Sequence, residues 1–76
     1  MISISNIIKA ERQKLGYTQQ DMAYLLNVSY ATYNQYENDP LSMKIRTFIK
    51  MCDIFGEQFR IIFFTSELYK MYSNEN

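Results

Sequence analysis

Residues 18–36, TQQDMAYLLNVSYATYNQY, decide how this chain folds. Thr18 stands ahead of Gln19, Gln20 and Asp21, so its hydroxyl can accept an orphan backbone N–H while Asp21 complements the positive end of a helix dipole. The spacing predicts a helix from there through about Leu26, with Met22, Ala23, Leu25 and Leu26 turned inward. Asn27 is one of the few non-glycine residues that tolerates the left-handed backbone of a tight turn. Ser29 then suits the cap of a second helix over residues 30–38, with Tyr33 and Tyr36 on one side and Tyr30, Ala31, Asn34 and Gln35 toward the other. Ala23 falls where the two helices would cross closely.

Working outward, Ile4, Ile7, Ile8, Glu11 and Leu15 recur at helical spacing, with Ser3 or Ser5 as cap and Gly16 as a stop able to take positive φ. Beyond the second helix, Asp39-Pro40 is a break, because the residue before proline is pushed out of the helical region. A fourth helix is expected over residues 43–55, capped by Ser42 and ended by Gly56, with Ile45, Phe48, Ile49, Cys52 and Phe55 as its apolar stripe. The period then changes. Phe59-Arg60-Ile61-Ile62-Phe63-Phe64 is β-branched, aromatic and nearly continuous in apolar character, which reads as a strand covered on both faces. No other segment offers it a partner, so pairing with the same segment of a second copy is the economical solution; packing of this segment on the fourth helix within one chain is the alternative. Residues 65–76 read as a short helical turn and a fraying tail.

Composition narrows what such a chain can do. With 76 residues there is room for one small domain, and its 47% hydrophobic content must sit in one core or be shared with a partner. Cys52 is the sole cysteine and histidine is absent, which removes a disulfide framework, a zinc cluster and the usual nucleophile–histidine arrangements. Two glycines, Gly16 and Gly56, leave no phosphate-cradling loop. Binding rather than catalysis is the expectation, without metal or cofactor. No apolar run reaches the roughly 20 residues of a membrane span, and the start MISISNIIKAER lacks the pattern of a signal peptide, so a reducing cytoplasm is the expected setting. Eight basic and eight acidic residues cancel, which argues against nonspecific coating of nucleic acid but leaves room for a local basic face.

Helix, short turn and helix together make a helix-turn-helix. In Leu15-Gly16-Tyr17-Thr18-Gln19-Gln20-Asp21-Met22-Ala23, Leu26-Asn27-Val28-Ser29 and Tyr33-Asn34-Gln35-Tyr36-Glu37-Asn38, the sequence resembles the Cro/repressor-type helix-turn-helix family, over residues 5–56. Members usually carry Gly where Asn27 stands and an aliphatic residue in place of Tyr33, whose hydroxyl then needs a partner if buried. Glu37-Asn38-Asp39-Pro40, Thr47-Phe48-Ile49-Lys50 and the apolar segment at 59–64 resemble a narrower group, the antitoxin repressors of bacterial toxin–antitoxin pairs.

The resemblance implies an all-α, lambda-repressor-like orthogonal bundle over residues 5–56, a dimerisation strand over 57–65 carrying Phe59, Ile61, Ile62, Phe63 and Phe64, and a tail over 66–76. It implies a homodimeric repressor on double-stranded DNA, and in the narrower group a toxin protein as a further partner. Position by position, the DNA readers fall on Ser29, Tyr30, Ala31 and Asn34, with Gln35 nearby. Their chemistry suits the role: Asn can pair with adenine N6 and N7, Ala can touch a thymine methyl, and hydroxyls can serve a base edge or a phosphate. Gln19 matches a phosphate-holding position at a helix N-terminus, and Arg12 with Glu37 matches a structural salt bridge. Lys44 and Arg46, and more remotely Lys9 and Lys14, are candidate flanking phosphate contacts, against the plainer reading of a solvated surface. Tyr17, Tyr24, Tyr33 and Tyr36 are expected as core or rim packing, and Cys52, Met22 and Met51 as core. The competing reading is a protein-interaction module that keeps this fold without touching DNA.

Overall fold

Each of the first three helices begins where the chain supplies a capping hydroxyl, in the computed structural model, which describes residues 3–64. Ser3, rather than Ser5, caps α1 (Ile4–Lys14), accepting the Asn6 N–H at 3.0 Å. Thr18 caps α2 (Gln19–Leu26) through a reciprocal box: Thr18 Oγ1 accepts the Asp21 N–H at 3.0 Å, and Asp21 Oδ2 accepts the Thr18 N–H at 2.8 Å. Ser29 caps α3 (Tyr30–Asn38), accepting the Thr32 N–H at 3.1 Å. The turn between α2 and α3 places Asn27 in the left-handed region at φ 59°, with its N–H returned to the carbonyls of Ala23 and Tyr24. After the Asp39-Pro40 break, a single 3-10 turn (Pro40–Ser42) leads to α4 (Ile45–Phe55). α4 starts two residues later than the spacing implied. Ser42 does not cap it; its hydroxyl donates to the Asp39 carbonyl at 2.7 Å and closes the 3-10 turn instead.

Residues 57–64 correct the expectation of a strand: they form a fifth helix, α5 (Glu57–Phe64). Gly56, at φ 103°, returns its N–H to the Cys52 carbonyl at 2.8 Å and accepts from the Arg60 N–H at 3.3 Å, so one helix ends and the next begins within a single residue. The acidic Glu57 sits in the first turn, where the helix dipole favours it. α5 turns Phe59 onto α4, its ring centroid 4.9 Å from that of Phe55 and 5.7 Å from that of Phe48, while Arg60 and Ile61 are exposed. A helix satisfies its own backbone, so the need for a second chain that a lone strand would create does not arise. Packing of one aromatic outweighs local β propensity. The tail over 66–76, and residue 65, lie outside the described residues.

The core lies between α2, α3, α4 and α5, where Met22, Leu26, Tyr33, Phe48, Met51 and Phe59 are nearly or fully inaccessible, with Ile8 of α1 closing one side. Ala23, 4% exposed, stands on the buried face of α2, which packs chiefly on α3. Cys52 is buried beside Phe48 and Phe55 on the same face of α4, and burial pushes its thiol up to about 11. The buried stripe of α4 is Phe48, Met51, Cys52 and Phe55, at i, i+3, i+4 and i+7, so it is rotated from the expected one: Ile45 and Ile49 are 48% and 55% exposed. Leu15 and Leu25, expected on inward helix faces, are likewise exposed, and Tyr24, expected as core or rim packing, is 83% exposed. α2 is only 8 residues long and buries a narrow stripe of Met22, Ala23 and Leu26, which leaves Leu25 and Tyr24 on its outer side.

Candidate nucleic-acid interface

The cap at Ser29 and the left-handed Asn27 fix how α3 leaves α2, and with it which side chains face outward. Tyr33 and Glu37, one helical turn apart, point inward and are fully buried. Ala31 and Gln35 are exposed, Tyr30 is about half exposed and Asn34 half-buried. The structure thus brings Tyr30, Ala31, Asn34 and Gln35 to the outer side of α3, with Gln19 at the first turn of α2 bonded to two of them. Ser29 is set apart by its chemistry. Its oxygen takes the Thr32 N–H and its hydroxyl donates to Thr32 Oγ1 at 2.9 Å, so its first task is the helix start.

Beneath this surface lies a buried carboxylate with every lone-pair direction in use. Arg12 reaches from α1 and donates Nε to Glu37 Oε2 at 2.5 Å and Nη2 to Oε1 at 3.4 Å; Tyr33 donates its hydroxyl to Oε2 at 2.6 Å; Gln19 donates Nε2 to Oε1 at 2.9 Å. Burial pushes the Glu37 carboxyl upward, but the bonds from Arg12, Tyr33 and Gln19 outweigh it and hold the group below the ordinary carboxylate range. The same bond raises Arg12. Tyr33 is driven upward by burial and by donating to Glu37. Arg12 also donates Nη1 to the Tyr17 carbonyl at 2.9 Å, and the Ser5 hydroxyl donates to the Glu37 carbonyl, so α1 is pinned to α3 and to the loop that leads into α2. Tyr33, which replaces an aliphatic residue, thereby finds the partner its hydroxyl requires.

Gln19 connects this buried group to the outer surface. Its Oε1 accepts from the Tyr30 hydroxyl at 3.0 Å and from Asn34 Nδ2 at 3.3 Å, and Asn34 Oδ1 in turn accepts from Asn38 Nδ2 at 3.1 Å. With Nε2 engaged by Glu37, the amide of Gln19 keeps one N–H for an outside ligand. Sequence reasoning missed Asn38; the signal available was its i+4 spacing from Asn34, the distance at which helix side chains meet. Lys44 and Arg46 are exposed at the start of α4, and among the described residues no hydrogen bond or ion pair ties them to the Gln19 network. Among those residues, too, no helix is long and apolar enough to cross a membrane.

Comparison with known proteins agrees with this geometry. A family model for the helix-turn-helix matches residues 8–62. The antitoxins HipB of Escherichia coli O6:H1 and of Escherichia coli strain K12 are each 33% identical to the chain over 48 residues, which is 63% of this chain and 51% and 54% of theirs. The chain spans about half the length of these curated relatives. No solved structure shows significant similarity to it. The matched residues contain α2, its turn, α3 and the Arg12–Glu37 pair, and the chain belongs to the Cro/repressor-type helix-turn-helix family.

Proposed function

We propose that this protein is a sequence-specific DNA-binding regulator, a repressor that acts as a homodimer on an inverted-repeat operator. The observation that carries the reading is the outer face of α3, where Tyr30, Ala31, Asn34 and Gln35 stand with Gln19 beside them and no cationic side chain among them. Neutral amides and a phenol on an exposed recognition helix are groups that read base edges, and the bonds that hold them in place reduce the entropy lost on binding. Lys44, Arg46, Lys9 and Lys14 are the proposed phosphate contacts at the flanks, and they supply the salt-dependent part of the affinity. Two copies related by a two-fold axis would set their α3 helices in successive major grooves, ~34 Å apart.

Similarity to the HipB antitoxins supports a second role: binding and neutralising a cognate toxin protein while repressing its own operator. Copurification of a second protein whose toxicity the chain suppresses supports that role, and unchanged growth on its deletion in a neighbourhood without a toxin gene counts against it.

Selection of bound duplexes from a random pool at two salt concentrations tests the main reading. The expected result is an enriched inverted repeat with half-sites one helical turn apart and affinity that falls as salt rises. Absence of enrichment at low salt overturns it in favour of a protein-interaction module.

A further inference from the structure

The hydrogen-bond chain from Glu37 to Tyr30 has a direction, and the direction reaches the surface. Glu37 is held as an anion by Arg12, so it only accepts. Gln19 must therefore present Nε2 to it, at 2.9 Å, because an amide oxygen there would set lone pair against lone pair. That choice turns Gln19 Oε1 toward α3. An oxygen in that place can be met only by donors, and it is met by the Tyr30 hydroxyl at 3.0 Å and Asn34 Nδ2 at 3.3 Å. Tyr30 has one hydroxyl hydrogen, and it is committed to Gln19. Asn34 is fixed likewise, with nitrogen toward Gln19 and oxygen toward Asn38.

We propose that the buried Glu37 carboxylate, acting through Gln19, sets the hydrogen-bond polarity of the recognition surface, so that the Tyr30 oxygen meets DNA as an acceptor and reads an exocyclic amino group. In the major groove the two amino groups are adenine N6 and cytosine N4; guanine and thymine offer acceptors at the corresponding edge. Tyr30 is thus a specificity-determining residue that asks for A or C over G or T on the strand it faces, at one step of each half-site. Gln19 is a positioning residue for it. The same polarity removes phosphate from the partners of Tyr30, since a phosphate oxygen needs a donor. This inference rests on the DNA-binding reading and adds to it the chemistry of one contact.

The test is duplex selection with the full chain, run in parallel for the unaltered protein, Tyr30→Phe and Gln19→Met. Tyr30→Phe keeps the ring on an exposed site and removes only the oxygen. The unaltered protein is expected to show an A-or-C preference of roughly 3- to 10-fold at one step, the worth of one neutral hydrogen bond, and Tyr30→Phe to flatten that step alone. The profile also tells adenine from cytosine. Gln19→Met, which frees the Tyr30 hydrogen to donate outward, is expected to admit G or T at the same step, a change that mere loosening of the fold would not produce. Enrichment by the unaltered protein with a Tyr30→Phe profile identical at every step overturns the inference and leaves DNA binding standing. A G-or-T preference that Tyr30→Phe abolishes overturns it as well, because the hydroxyl would then be donating. No enrichment by the unaltered protein overturns both.

Discussion

Arg12 Nε and Glu37 Oε2 meet at 2.5 Å between the first and third helices, with the Glu37 side chain wholly excluded from solvent. A buried pair of this kind is a poor source of net stability, because both charges lose their hydration, yet it is costly to break by halves. Glu37→Ala removes at once the acceptor that Arg12, Tyr33 and Gln19 share. It is expected to cost on the order of 3–5 kcal/mol, visible in urea as a lower midpoint at unchanged slope. Arg12→Lys should fall in the same direction, since an ammonium cannot offer the two-nitrogen contact to both carboxylate oxygens.

Stability should decline at both ends of the pH scale for separable reasons. Glu37 titrates near 4.5 when unperturbed and lower in the folded protein, so its contribution is complete above about 4.5 and is lost as pH falls through the folded value. Tyr33 is raised from 10.0, so its contribution is present below about 10 and is lost as pH rises beyond it, where the unfolded chain ionises and the folded one does not. Urea midpoints measured across pH should show both limbs. The buried Cys52 thiol, raised from 9.0 to about 11, adds to the alkaline limb in the same sense. Tyr33→Phe should therefore shrink the alkaline limb to the part that Cys52 supplies, and leave an acid limb reduced only by the bond that Glu37 loses; an alkaline limb unchanged in that variant would exclude Tyr33 as a source.

The helix-turn-helix was legible because its signals are local. Thr18, Asn27 and Ser29 each act on backbone within a few residues of themselves, and all three do what their chemistry implied. The Arg12–Glu37 pair was legible only through family resemblance, being 25 residues apart in the chain. What escaped was decided by tertiary packing. Phe48, Ile49 and Cys52 fit one stripe as well as Phe48, Met51 and Cys52 fit another, and the packing of α4 on α2 and α5 buries the second. The relay through Gln19 was hidden too, since no sequence pattern reports which way a side-chain amide faces.

Asn27 offers a direct check on the turn. It holds φ 59° with a side chain, a conformation that costs most residues roughly 1–2 kcal/mol and glycine nothing. Asn27→Gly should therefore leave stability unchanged or raise it by a few tenths of a kcal/mol, whereas Asn27→Val should lower it by about 1 kcal/mol or more. Thermal unfolding of the two variants side by side gives the comparison. Equal stabilities would mean that the α2–α3 turn does not require the left-handed residue.

Phe59 distinguishes the helix at the end of the described chain from the strand its composition resembles. In a strand Phe59 and Ile61 share one face, and removal of either would cost alike. In α5, Phe59 is 2% exposed against Phe48 and Phe55, while Ile61 is 57% exposed. Phe59→Ala should then cost about 3–5 kcal/mol, and Ile61→Ala about 1 kcal/mol or less, in urea unfolding of the full chain. Comparable losses would restore the strand. The difference also governs how self-association is measured. Cutting the chain before Phe59 removes a core aromatic, so a change of mass in that fragment would report unfolding as readily as loss of a dimer. Light scattering on the intact chain, over a range of concentrations, is the measurement that reads the homodimer alone.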